Sequence, residues 1–152
     1  MAFVFKLQQL LQIALHEENE VKNRLARKDG QIAELVQKIQ KYIDDQDTAI
    51  KDQTLAVEAG NIMEAQMYPL YLNSLRKSQK FYENELALQQ KQRQKIMEEL
   101  MEKQRKRKTF EKMREAEEAK YKKEMLKKQQ KQLDEFGGRK KPTLTEEIPE
   151  NA

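Results

Sequence analysis

The chain has 152 residues, 37% of them charged and only 38% apolar, with a mean hydropathy of -1.02. It has no cysteine, which excludes a disulfide framework or a thiolate metal centre; its longest uncharged stretch, Ala65 to Leu75, falls far short of the roughly 20 residues that cross a bilayer. The net charge of +4 conceals an asymmetry, because residues 91–141 carry 19 Lys/Arg against 10 Asp/Glu while residues 1–90 carry 11 against 13.

Met1 to Phe5 lacks the cationic start and long apolar run of a secretory signal, and the expected location is cytoplasmic. Usage dominated by Lys, Glu, Gln, Leu, Ala and Arg is that of long helices and coiled coils. Disorder is the competing reading for a chain this polar. It predicts no apolar period, so periodicity decides.

The first predicted element is a helix over about residues 4–58. Leu7, Ala14, Val21, Leu35, Tyr42 and Ala49 fall seven or fourteen apart, and Leu11, Leu25, Ile32 and Ile39 follow four residues behind. Together they make the 3-4 seam of a coiled coil, interrupted at Glu18, Lys28 and Gln46. The later Val36, Ile43, Ile50 and Val57 suggest that the seam drifts, since 3.6 residues per turn does not match 3.5. Gly60-Asn61 predicts a helix stop, and Pro69 suits a first helical turn. A turn is therefore expected over about 59–68.

A second helix is predicted over about 69–136. Leu72, Leu75, Tyr82, Leu86, Ile96, Leu100, Phe110 and Tyr121 form its seam, with Met97, Met101, Met113 and Met125 alongside. The pattern weakens at Lys103 to Lys108, which is polar all round. Gly137-Gly138 is read as the stop, and the Pro-containing, acidic residues 139–152 as a disordered tail. At about 1.5 Å per residue the helices are roughly 80 and 100 Å long. One short turn makes them antiparallel. The expected fold is all-α, a long two-helix antiparallel coiled-coil hairpin stabilised by burying both stripes.

Chemistry is sparse. Catalysis needs a pocket with convergent groups. His16 is the only histidine and reads as a surface residue. The pairs Glu17-Glu18, Asp44-Asp45 and Glu98-Glu99 splay about 100° apart on a helix and read as solvated faces. No phosphate-binding glycine loop or nucleophile elbow occurs. No enzymatic activity, cofactor or metal is expected.

Two regions suggest partners instead. Tyr68, Tyr71, Leu72 and Leu75 crowd two turns beside the predicted hairpin end, with Tyr42 and Ile43 opposite. Part of this cluster belongs to the seam, but surplus aromatic surface at a helix end suggests a protein contact. The basic segment Lys91 to Lys141 admits a nucleic-acid reading, yet acidic residues interleave it and no reading module accompanies it. An acidic protein surface fits it better. A filament-forming coiled coil is a third alternative.

Several segments, in order, resemble the FliJ family of flagellar export proteins. Phe5-Lys-Leu-Gln-Gln-Leu-Leu11 resembles the family's opening. Tyr42-Ile-Asp-Asp-Gln46 is similar to a first-helix motif, and Tyr68-Pro-Leu-Tyr-Leu-Asn-Ser-Leu75 to the start of the second helix. Thr109-Phe-Glu-Lys-Met-Arg-Glu115 and Lys131-Gln-Leu-Asp-Glu-Phe136 resemble later segments. Asp45 and Ala49 depart from the pattern, standing where some members carry tyrosines. The stalk proteins of virulence-type secretion, of the YscO kind, share this architecture and are the nearest alternative.

The resemblance implies a stalk-like component of flagellar type III export, peripheral to the inner membrane at the flagellar base. It implies contacts with the export ATPase FliI, its regulator FliH, the export gate protein FlhA and flagellar substrate chaperones. No nucleic acid is expected, and membrane contact only through the export complex. The gate-binding residues it implies are Tyr42, Asp45, Tyr68, Tyr71, Leu72, Leu75 and Tyr82. The ATPase-binding residues are Lys120, Lys127, Lys128, Lys131, Asp134, Glu135 and Phe136, near the chain termini.

Overall fold

A computed structural model describes residues 3–147, with side chains described for residues 3–137. Among them there is no strand. The elements are α1 (Gln8–Glu58), α2 (Ile62–Ala65) and α3 (Tyr68–Glu147). The fold is all-α, with two long helices in an antiparallel coiled-coil hairpin. The chain divides into two compact units, residues 16–104 and residues 1–15 with 105–152. The division falls in the stretch from Lys103 to Lys108, where the apolar pattern of α3 thins out.

In the unit spanning residues 16–104, the pairing of α1 with α3 is fixed by polar contacts that step in opposite directions along the two helices. Gln46 Nε2 donates to Gln79 Oε1 at 2.6 Å. Further from the turn, Lys28 Nζ donates to Gln89 Oε1 and Gln92 Oε1 at 2.7 and 2.8 Å. Arg93 reaches Asp29 at 2.5 Å, Arg24 reaches Glu99 at 2.6 Å, and Lys103 reaches Glu17 at 3.1 Å. The seam interruptions Lys28 and Gln46 are therefore matched by polar residues of α3. A polar layer set against an apolar one would leave its donors unsatisfied, so these layers select one register. Glu18, the third interruption, is only 2% exposed and pairs with Lys22 one turn on, at 3.2 Å.

Apolar layers lie between the polar ones. Val21, Ile39, Ala49 and Ala56 on α1 and Leu72, Leu75 and Leu100 on α3 are buried. Leu25, Ile32, Leu35 and Tyr42 are half-buried in the same 3-4 column. The expected drift of the seam is not sustained: of its four residues only Ile43 is half-buried, while Val36, Ile50 and Val57 are 48%, 45% and 60% exposed. Two helices that wind about each other keep a 3.5-residue repeat, so one column stays in the interface throughout.

The turn is built by the last residues of α1. Gly60 takes φ +80°; its N–H donates to Val57 O at 3.0 Å and the Asn61 N–H to Ala56 O at 2.9 Å. This Schellman arrangement uses the left-handed conformation that glycine adopts without a Cβ clash. Asn61 then caps α2: its side chain accepts from the Glu64 N–H and donates to Glu64 Oε2 at 2.7 Å. Ala65 tucks inward at 7% exposure. The α1 end at Glu58 and the α3 start at Tyr68 lie within one residue of expectation; the helical turn α2 between them was not foreseen.

In the second unit, the first segment begins differently from expectation. α1 starts at Gln8 rather than near residue 4. Phe3 to Phe5 lie outside the helix, the Gln8 N–H donates to Phe5 O at 3.1 Å, and the Phe5 side chain is 4% exposed. The Phe3 ring meets Tyr121 at 5.6 Å. Packing Phe3 on Tyr121 of α3 and burying Phe5 wins over another helical turn, because each aromatic carries a large apolar surface. Leu11 and Ala14 complete the core of this unit.

α3 continues to Glu147, beyond the end expected near residue 136. A glycine inside a helix costs about 1 kcal/mol relative to alanine but does not forbid the conformation, and a Cβ at Gly137 would meet open space. The expectation of a disordered tail over 139–152 falls on side chains, and from residue 148 on also backbone, outside the described residues.

Candidate functional site

Tyr42 and Tyr82 stack with ring centroids 5.6 Å apart, 15° from parallel. Tyr42 occupies the seam column of α1, and Tyr82 that of α3, so packing brings the rings together. Lys38, one turn before Tyr42, places its Nζ 4.3 Å from the Tyr82 centroid. Phe81 meets Tyr82 edge-on at 5.2 Å and is itself 64% exposed. The hydrogen bond with the Tyr82 hydroxyl holds the Lys38 ammonium pKa above its usual 10.5. The same bond from Lys38 holds the Tyr82 phenol below its usual 10.0, against a smaller opposing effect of burial. This half-exposed aromatic platform carries a fixed cation. Sequence reasoning named both tyrosines but missed Lys38 and Phe81; Lys38 was legible as the residue four before Tyr42.

The remaining gate-binding candidates separate into two kinds. Leu72 and Leu75 are 6% and 7% exposed and belong to the seam. Tyr71 is 49% exposed, while Asp45 and Tyr68 are intermediate. Tyr68 and Tyr71 sit at the start of α3, more than two turns nearer the hairpin end than Tyr82. They form a second cluster rather than extending the Tyr42–Tyr82 platform. Burial pushes the Tyr68 phenol pKa up, and the charges of Asp52 and Glu64 push it further. Ala49, one of the two departures from the family pattern, is 2% exposed in the seam.

The ATPase-binding candidates all lie on α3 within the other unit. Lys120, Lys127, Lys128, Lys131, Asp134 and Glu135 are exposed, and Phe136 is 61% exposed. Leu126 and Leu133 are 65% and 66% exposed beside them. Gln130 donates to Asp134 at 3.2 Å. Lys120 lines a shallow depression of about 370 Å³ with Phe3, Val4, Tyr121 and Glu124. This segment is a lysine-rich helix with apolar residues on its surface.

His16 is a surface residue paired with Glu20 at 3.0 Å. Among the described residues no three His, Asp or Glu side chains gather as a metal site, and no helix is long and apolar enough to cross a membrane.

Two long helices paired as an antiparallel coiled-coil hairpin define the class: an all-α coiled-coil protein. The family model of the flagellar FliJ protein matches residues 3–140. The chain belongs to the FliJ family, and so to the structural components of the flagellar protein-export apparatus. Comparison with curated proteins and with solved structures finds no match.

Proposed function

We propose that this chain couples the export ATPase to the export gate and escorts substrate chaperones, without catalysis of its own. The observation that carries this reading is the pair of chemically different faces. Tyr42, Tyr71 and Tyr82, with Asp45 and Tyr68 beside them, offer half-exposed aromatic surface to the gate protein FlhA. Such rings supply large contact area at small cost in side-chain entropy. The lysines from Lys120 to Lys131, together with Asp134, Glu135 and Phe136, offer charge and an aromatic anchor to the ATPase FliI. Leu72 and Leu75 support the gate face from beneath, by holding Tyr71 at the surface. The regulator FliH completes the proposed set of partners.

The test is direct. Purified chain added to cognate FliI is expected to raise ATP turnover or promote hexamer formation. Unchanged turnover and unchanged hexamer population would remove the coupling role.

A further inference from the structure

The tip of the hairpin carries an exposed apolar surface that borders the proposed gate face at Tyr68 and Tyr71. Ile62, Met63, Met67 and Leu70 are 64%, 82%, 71% and 77% exposed. The backbone from Ile62 to Tyr71 is nearly continuous in its helical bonding: Gln66 N–H donates to Ile62 O, Met67 N–H to Glu64 O and Tyr71 N–H to Met67 O. The spacing of Met63, Met67 and Leu70 therefore puts them along one side, while Ala65 and Leu72 turn inward. Two shallow depressions meet at Tyr68 and Glu64. One, of about 240 Å³, is lined by Glu64, Met67, Tyr68 and Tyr71; the other, of about 360 Å³, runs over Leu55, Ala56 and Ala59 to Asp52.

The charged residues that line the two depressions, Asp52 and Glu64, are both acidic. From Asp44 to Glu64 the chain carries six carboxylates and one lysine, Lys51, while Arg76, Lys77 and Lys80 follow further along α3. Where the depressions meet, burial raises the Tyr68 phenol pKa, and the charges of Asp52 and Glu64 raise it further. An exposed apolar tip would also suit a lipid surface, but cellular membranes present anionic headgroups that this rim repels. Exposed methionines point elsewhere. Their flexible, polarizable side chains repack around differing apolar shapes, as on surfaces that accept many helices.

We propose that the hairpin tip is a docking surface for a basic amphipathic helix of a partner protein. The partner's apolar side lies on Met63, Met67 and Leu70, and its lysines or arginines reach Asp52 and Glu64. Adaptable methionines in place of a shaped pocket mean that the surface reads charge and amphipathicity more than a particular sequence. The site is separate from the Tyr42–Tyr82 platform, shares Tyr68 and Tyr71 with the rest of the proposed gate face, and does not depend on the export reading.

The experiment uses the full chain and two labelled 18-residue probes: an amphipathic Lys/Leu helix and the same peptide with Glu for every Lys. Fluorescence anisotropy should give at least tenfold tighter binding of the Lys/Leu probe, weakening as salt is raised. Met63→Glu with Met67→Glu should lower that affinity at least tenfold at unchanged helicity. Asp52→Lys with Glu64→Lys should reverse the preference between probes. Equal affinity for both probes, or full binding by the methionine variant, would overturn the proposal. So would concentration-dependent self-association that the methionine variant abolishes, because the occupant would then be a second copy. FliI turnover measured on the same samples tests the coupling role separately.

Discussion

Gln46 and Gln79 face each other across the hairpin, the amide of one donating to the carbonyl oxygen of the other at 2.6 Å. Each stands where its helix would otherwise present an apolar seam residue, and each finds the other only in one alignment of the two helices. Lys28 with Gln89 and Gln92 repeats the device five seam positions further along α1. A run of leucines would tolerate sliding by a heptad; these layers do not.

The glutamine layer exchanges stability for register. Gln79→Leu alone leaves the Gln46 amide facing an apolar side chain and should cost about 1 kcal/mol. Gln46→Leu with Gln79→Leu should recover that loss and raise the melting temperature above wild type, because a polar seam layer is kept at the expense of stability. Cysteines at positions 42 and 82 test alignment. Their oxidative cross-linking should be efficient in the native background and less selective in the double-leucine variant.

Two glycines should respond to alanine in opposite ways. A Cβ at either Gly30 or Gly60 would meet open space, so packing does not distinguish them. Gly60 holds φ +80° and Gly30 is helical. Gly60→Ala should destabilise by about 1–2 kcal/mol, and Gly30→Ala should stabilise by about 1 kcal/mol. Urea unfolding followed by circular dichroism checks both.

The region around the start of α3 separates support from contact. Leu75→Ala removes a buried side chain and should cost about 2–4 kcal/mol, lowering helicity on mild heating. Tyr71→Ala acts at a half-exposed position and should leave the melt within about 0.5 kcal/mol of wild type, while weakening binding to FlhA. A parallel loss of stability and binding in Tyr71→Ala would assign that tyrosine to the core alone.

The Lys38–Tyr82 contact makes stability depend on pH in the alkaline range. The Tyr82 pKa lies below 10.0 in the folded chain, so stability rises as pH climbs from that folded value to 10.0. The Lys38 pKa lies above 10.5 when folded, so its contribution is full below 10.5 and disappears as pH passes the folded value. Absorbance at the tyrosinate band should show one tyrosine ionising ahead of the others. Lys38→Met should return it to the ordinary range.

Much of this protein was legible in one dimension. Leu7, Leu11, Ala14, Val21, Leu25 and Ile39 announce a heptad helix, because burial in a two-helix seam requires that spacing whatever the partner. Gly60-Asn61 announces the reversal, because few other pairs take a left-handed turn without strain. The family was legible too, through the order of short segments from Phe5 to Phe136. The tertiary structure alone decided what depends on the other helix. It paired Gln46 with Gln79 and Lys28 with Gln89, turning apparent defects of pattern into register marks. It left Val36, Ile50 and Val57 outside the seam that their spacing suggested, because the intertwined helices hold one column inward. It buried Leu72 and Leu75 while leaving Tyr71 half-exposed, and stacked Tyr42 on Tyr82 with Lys38 above. It also exposed Met63, Met67 and Leu70, whose place on an open tip no periodicity reveals. Spacing along a chain reports which residues share a face; only the partner helix determines which face is covered.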